Sequence, residues 1–99
     1  MSGPEKNFEN RVKKYLKSKG AYVHKTSGGS QTRKGTPDIF ACYKGHFIGL
    51  ETKAPKGKED AELQIKNIQW IREAGGYARF LKPSEFEEFK NDLEAMVKI

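Results

Sequence analysis

The stretch from residue 36 to residue 53, TPDIFACYKGHFIGLETK, constrains what this chain can fold into more than any other. Two runs rich in β-branched and aromatic residues flank Lys44-Gly45, a two-residue turn with a glycine for the positive φ that such turns need. The pattern predicts a β-hairpin. Folding the strands about that turn sets Tyr43 against His46, Cys42 against Phe47, Ala41 against Ile48, Phe40 against Gly49 and Ile39 against Leu50. One step further, Asp38 lies across from Glu51. Opposed residues of an antiparallel pair share a face, with Cβ atoms about 5 Å apart, and Lys53, two residues beyond Glu51, shares it too. The open end of the hairpin is therefore expected to gather two carboxylates and one ammonium.

Like charges directly opposite one another destabilise a ladder, so stability alone does not account for Asp38 and Glu51. A divalent cation between them removes the repulsion, and oxygen ligands at that spacing suit magnesium or manganese. The charge balance bears on what such a site could meet. The net charge of +6 is uneven: residues 1–58 carry 13 Lys and Arg against 4 Asp and Glu, and residues 59–99 carry 6 against 9. A basic half around an acidic pocket suits a phosphodiester substrate, with cations attracting the backbone. At 99 residues the chain reads as one domain, residues 1–99, with a lean hydrophobic content of 35% that favours extra burial in a dimer. The lone Cys42 excludes an internal disulfide and a cysteine zinc site, and alternation places it, half-buried, on the face of Asp38. No apolar run approaches the ~20 residues of a membrane span. The expectation is a soluble intracellular protein (bacterial cytoplasm, phage-encoded, or nuclear in a eukaryote) with no membrane partner and no nucleotide cofactor.

The remaining segments supply the order of elements. Phe8, Val12, Tyr15 and Leu16 make one apolar stripe and predict a helix over 5–19, whose other face carries Arg11, Lys13, Lys14 and Lys17 for solvent or a nucleic-acid backbone. Residues 21–25 read as a strand beside the hairpin. Residues 26–36, rich in Gly, Ser and Thr with Arg33 and Lys34, read as a loop able to approach phosphates. Residues 54–58 form a basic loop in which Lys56 and Lys58 are phosphate contacts or solvated charges. A helix over 60–74 aligns Ala61, Gln64, Ile65, Ile68 and Ile71, widened by Leu63, Trp70 and Ala74. Gln64 is the polar member of that face. Residues 77–81 make a last strand, parallel to its neighbour as a crossover requires. A final helix opens with a capping box on Ser84 and Glu87 and buries Phe86, Phe89, Leu93, Met96 and Val97. The result is an α/β chain, α-β-β-β-α-β-α, around a mixed central sheet.

Pro37-Asp38 followed after a hairpin by Glu51-Thr52-Lys53 resembles the PD-(D/E)XK nuclease signature. Ser27-Gly28-Gly29, Gly35-Thr36-Pro37-Asp38, Gln64 and Ala74-Gly75-Gly76 make it similar to the VRR-NUC branch, over roughly residues 5 to 82. The resemblance implies a restriction-endonuclease-like core and hydrolysis of DNA phosphodiesters with Mg²⁺, or Mn²⁺ as a substitute. It implies that Asp38, Glu51 and the backbone carbonyl of Thr52 ligate the ion, joined by Glu9 of the first helix, whose other reading is an i,i+4 partner of Lys13. It aims Gln64 at the site and brings Ser27, Arg33 and Lys34 to the substrate. Lys53 stabilises charge in the transition state or acts on the nucleophile. Small stand-alone members resemble four-way-junction (Holliday-junction) resolvases, which act as homodimers. The alternatives are a nuclease of flaps, nicks or single strands, and a non-catalytic DNA-binding module.

Overall fold

The computed structural model describes residues 3–26, 34–53 and 62–97. Their order is helix α1 (Pro4–Ser18), strands β1 (Tyr22–Lys25), β2 (Ile39–Tyr43) and β3 (His46–Thr52), helix α2 (Glu62–Glu73), strand β4 (Tyr77–Leu81), a 3-10 turn (Pro83–Glu85) and helix α3 (Phe86–Met96). The strands form a mixed sheet in the order β1-β2-β3-β4. β1, β2 and β3 run antiparallel, and β4 returns parallel to β3 after the α2 crossover.

The hairpin forms in the register read from the sequence, from Tyr43 opposite His46 to Ile39 opposite Leu50. Its turn has Lys44 at φ 51° and Gly45 at φ 85°. Two consecutive positive φ values match the right-handed twist of the flanking strands, and glycine adopts the second without a Cβ penalty.

Register decides which side chains face which helix. Ile39, Ala41 and Tyr43 of β2, Ile48 and Leu50 of β3 and Leu81 of β4 form one buried cluster with Phe8, Val12 and Leu16 of α1 and Phe86, Phe89 and Leu93 of α3. Phe8 and Tyr15 meet the Phe86 ring edge-on, with centroids 5.6 and 5.7 Å away. Burying these side chains removes most of their apolar area from water, at roughly 1.5–3 kcal/mol for each large residue. α2 packs on the opposite face, chiefly against β4 and β3, where Ile71 lies against Gly49.

Three expectations are corrected. Cys42 is exposed rather than half-buried: among the described residues α2 packs chiefly on β3 and β4, away from Cys42. The α2 stripe is narrower than its sequence suggests: Asn67 and Ile68 are buried, while Leu63, Ile65 and Trp70 remain exposed. The box on Ser84 and Glu87 does not form. Pro83, which lacks an N–H, opens a 3-10 turn, and the Glu85 carboxylate instead accepts the Lys82 N–H at 2.9 Å. α3 therefore begins at Phe86 and leaves Val97 exposed.

Gly35 ties the approach to β2 onto α2. Its φ is +82°, and a Cβ there would meet the Leu63 carbonyl oxygen at 2.8 Å and Asn67 Nδ2 at 2.9 Å. Gly35→Ala is expected to destabilise the fold by about 1–3 kcal/mol. Urea denaturation reads this directly, and an unchanged midpoint would show that the approach is not close.

Candidate active site

The end of the sheet opposite the hairpin turn collects the charged residues. β2 starts one residue after Asp38, and its entry is clamped from β1. Thr26, buried, donates its N–H to the Asp38 carbonyl at 2.9 Å and its hydroxyl to the Pro37 carbonyl at 2.8 Å. The backbone of Asp38 is thereby fixed before its side chain makes any contact.

The ladder ends at Ile39 and Leu50, and Asp38 does not pair across to Glu51 as the register alone suggested. Instead the Asp38 carboxylate accepts two hydrogen bonds at one oxygen, from the Thr52 N–H and the Thr52 hydroxyl, both at 3.2 Å. Thr52 is fully buried on the α1 side of the sheet, so Asp38 is drawn to that side. Lys25, the last residue of β1, lies with Nζ 4.0 Å from Asp38 Oδ1 and 3.4 Å from Glu9 Oε1. Glu9 comes from α1, is buried, and also meets Lys6 at 3.3 Å and Lys13 at 3.4 Å. The i,i+4 pair with Lys13 and a place at the sheet end are both realised.

Glu51 is held from the other side. Gln64 of α2 donates Nε2 to Glu51 Oε2 at 2.8 Å, and its Oε1 accepts from Lys53 Nζ at 3.2 Å. Lys53 Nζ is itself 3.7 Å from Glu51 Oε2. One amide thus aligns a carboxylate and an ammonium, which explains a polar residue on the apolar face of α2. Glu51 and Lys53 do come together, as alternation expected, with Gln64 between them.

Among the described residues, no three His, Cys, Asp or Glu side chains are gathered as a ready ligand set for a metal ion. What the structure presents is hard oxygen donors on both sides of the sheet end, with an ammonium seated between two of them. That donor chemistry fits magnesium or manganese. Of the expected phosphate contacts, Lys14 and Lys34 are exposed and Lys13 is turned onto Glu9. Ser27, Arg33, Lys56 and Lys58 lie outside the described residues. Sequence reasoning missed Lys25 and Thr26. Strand pairing could have found both, since a strand antiparallel to β2 that ends opposite Ile39 sets its last residues beside Asp38.

Burial and charge pull the two carboxylates apart. Burial pushes the Asp38 carboxyl above its ordinary value, the Lys25 ammonium and the Thr52 hydroxyl pull it back in part, and the charge of Glu9 adds to the rise. Burial acts on Glu9 in the same sense, but Lys25, Lys6 and Lys13 together outweigh it and hold Glu9 below its ordinary value.

The family model for the archaeal Holliday junction resolvase (Hjc) matches residues 3–91 of the chain. Among solved structures, a VRR_NUC domain superposes with a TM-score of 0.70 at 18% identity, covering 98% of this chain and 97% of that one. The Hjc Holliday junction resolvase of the archaeal hyperthermophile Archaeoglobus fulgidus superposes with a TM-score of 0.56 at 21% identity, covering 78% of this chain and 67% of that one. A search of curated proteins gives no match. Both solved structures share the restriction-endonuclease-like fold expected from the sequence.

The raised Asp38 makes the charged site a cost to stability. A carboxyl raised on folding contributes stability that is complete below its unfolded value, 3.8, and is lost as pH rises through the folded one. Glu9 acts in the opposite sense, contributing above 4.5 and losing that contribution as pH falls through its lowered value. Asp38→Asn keeps an acceptor for Thr52 and removes the buried charge. In EDTA at pH 7 its thermal midpoint is expected to exceed that of wild type, with the gain vanishing below pH 3.8. A variant less stable than wild type at pH 7 would contradict this account.

Proposed function

This chain belongs to the archaeal Holliday junction resolvase family, and from that premise we propose that it is a metal-dependent endonuclease cutting four-way DNA junctions as a homodimer. The observation that carries the reading is the Glu51–Gln64–Lys53 set, hydrogen-bonded at 2.8 and 3.2 Å one residue from the Thr52 that holds Asp38. An ion pair made only for stability has no need of an amide that orients both partners.

Asp38, Glu51, Glu9 and the Thr52 backbone carbonyl would hold Mg²⁺, with Mn²⁺ as a substitute. Such an ion supplies Lewis-acid polarisation of a phosphodiester and lowers the pKa of a water at the site. The chain's own residues do the rest. Thr52 and Thr26 hold Asp38 in place. Gln64 keeps the Glu51 oxygens and the Lys53 ammonium at fixed separation. Lys53, mostly buried at 14% side-chain exposure, offers a weakly solvated charge to the oxygen that becomes more negative as the phosphodiester is attacked. Lys14 and Lys34, with Ser27, Arg33, Lys56 and Lys58, supply contacts to the DNA backbone that position the substrate without reading its sequence.

A junction is resolved by two cuts on opposing strands, and a chain with one site meets that need by two-fold pairing. Trp70 on α2 and Phe47 on β3 are exposed. Phe47 and Trp70 border an open groove of about 390 Å³ with Phe40 and Ile71. We assign that face to the second copy.

The test is cleavage of a synthetic four-way junction and of its linear duplex, with Mg²⁺, Mn²⁺ or EDTA. Wild type is expected to give paired, symmetric, metal-dependent nicks on the junction, and Asp38→Asn none. Gln64→Leu is expected to slow cutting about 10- to 100-fold with junction binding retained, as for residues that orient metal ligands. Binding of DNA with no cutting of any substrate under either metal would replace the enzyme with a binding module. Cutting of flaps or nicks in preference to junctions would replace the substrate.

A further inference from the structure

The ion pairs around Asp38 hold a residue for which hydrolysis needs no role. Lys25 ends β1, paired opposite Ile39, and its ammonium lies 3.4 Å from Glu9 and 4.0 Å from Asp38. Among the described residues it is the cation that touches both carboxylates. We propose that the Lys25 ammonium holds the place of the divalent ion between Glu9 and Asp38 and gives way to it, so that Lys25 sets the affinity of the site for metal. The inference rests on the metal-dependent reading of this same site.

Four features of the geometry support it. The contacts are loose: 4.0 Å to Asp38 is longer than a charge-assisted hydrogen bond. A divalent ion binds carboxylate oxygens at about 2.0–2.6 Å, so ion and ammonium compete for one space. The Lys25 side chain is 37% exposed on a flexible four-carbon stem, which gives it a route into solvent. Finally, the two carboxylates differ in their other support. Glu9 keeps Lys6 and Lys13 when Lys25 leaves, whereas the ion pair with Lys25 is the one that Asp38 makes among the described residues. Loss of Lys25 thus leaves a partly buried charge that an incoming cation would neutralise.

A structural lysine and a place-holder make opposite predictions for metal binding. Were Lys25 there to shape the site, removing it would weaken the ion. As a competitor its removal strengthens it. The measurement is isothermal titration of Mn²⁺ into the full chain without DNA at pH 7, for wild type, Lys25→Met and Lys25→Arg. Lys25→Met keeps most of the stem and is expected to bind Mn²⁺ roughly tenfold more tightly, about 1.4 kcal/mol. Lys25→Arg keeps the charge and is expected to stay near wild type. Thermal midpoints with and without Mn²⁺ give a second readout, with Lys25→Met showing the lower midpoint in EDTA and the larger rise on adding metal. Should Lys25→Met fold only with metal, Mn²⁺-dependent refolding followed by circular dichroism reports the same affinity. Equal or weaker binding by Lys25→Met overturns the proposal while leaving the metal-dependent nuclease intact. Absence of Mn²⁺ binding by all three proteins overturns both.

Discussion

A strand that alternates faces every residue places its chemistry by register, and here the register is set far from the chemistry. Lys44 and Gly45 turn the chain with two positive φ values, and five paired steps later the hairpin reaches Ile39 and Leu50. A slip of one residue would exchange the two faces of β3. Thr52 would leave the α1 side, where it is fully buried against Asp38, and Glu51 would leave the α2 side, where Gln64 holds it. The slip is opposed by the core itself, because Ile48 and Leu50 would turn away from α1 and α3 and lose their burial. The hydrophobic cluster and the polar end are thus two consequences of one constraint.

That constraint creates an electrostatic difficulty which the surrounding residues only partly relieve. Three carboxylates, Glu9, Asp38 and Glu51, are buried or nearly so at one end of the sheet. Charges removed from water need partners. Glu51 has Gln64 and Lys53, and Glu9 has three lysines. Asp38 has two hydrogen bonds from Thr52 and a distant ammonium, and burial still lifts its carboxyl above the ordinary value. Local discord of this kind, in a chain whose turn, core and crossover all agree, is where a function is expected to reside.

The parts legible in the sequence were those governed by short-range periodicity. Element order, hairpin register and the parallel return of β4 follow from alternation, a turn dipeptide and a crossover of sufficient length. Gln64 was visible as a polar residue on an apolar face. What escaped depends on distance in space. Strand pairing brings Lys25 to Asp38 across 13 positions of the chain. The bend of the Asp38 side chain toward Thr52 follows from the ladder stopping one pair short, which alternation cannot foresee. Cys42 was misjudged because coverage by α2 depends on where a helix lands across a sheet, and its own apolar stripe does not carry that information. The cap of α3 moved because Pro83 takes the first turn for itself.

The uneven charge of the chain has a structural counterpart. In the acidic second half, Arg72, Arg79 and Lys90 are committed to holding the fold. β4 is an edge strand, and its outward carbonyls at Ala78 and Phe80 accept from the guanidinium Nε of Arg72 at 2.8 Å and of Arg79 at 3.0 Å. Arg79 then meets Glu85, Glu88 and Asp92, while Lys90 meets Glu87 and lies over the Phe86 ring. Capping those carbonyls closes the edge to further strand pairing, a hazard of any open sheet. In the basic half, Lys6, Lys13, Lys25 and Lys53 converge instead on the carboxylates at the sheet end. The two halves therefore use charge differently: one seals an edge with arginines in rigid geometry, and the other surrounds a buried acidic centre with lysines on flexible stems. Flexible, strongly hydrated ammoniums can exchange partners where planar guanidiniums bound to backbone carbonyls cannot. The lysines at the site and the arginines at the edge thus give one part of the molecule contacts that can exchange and another part contacts that are fixed.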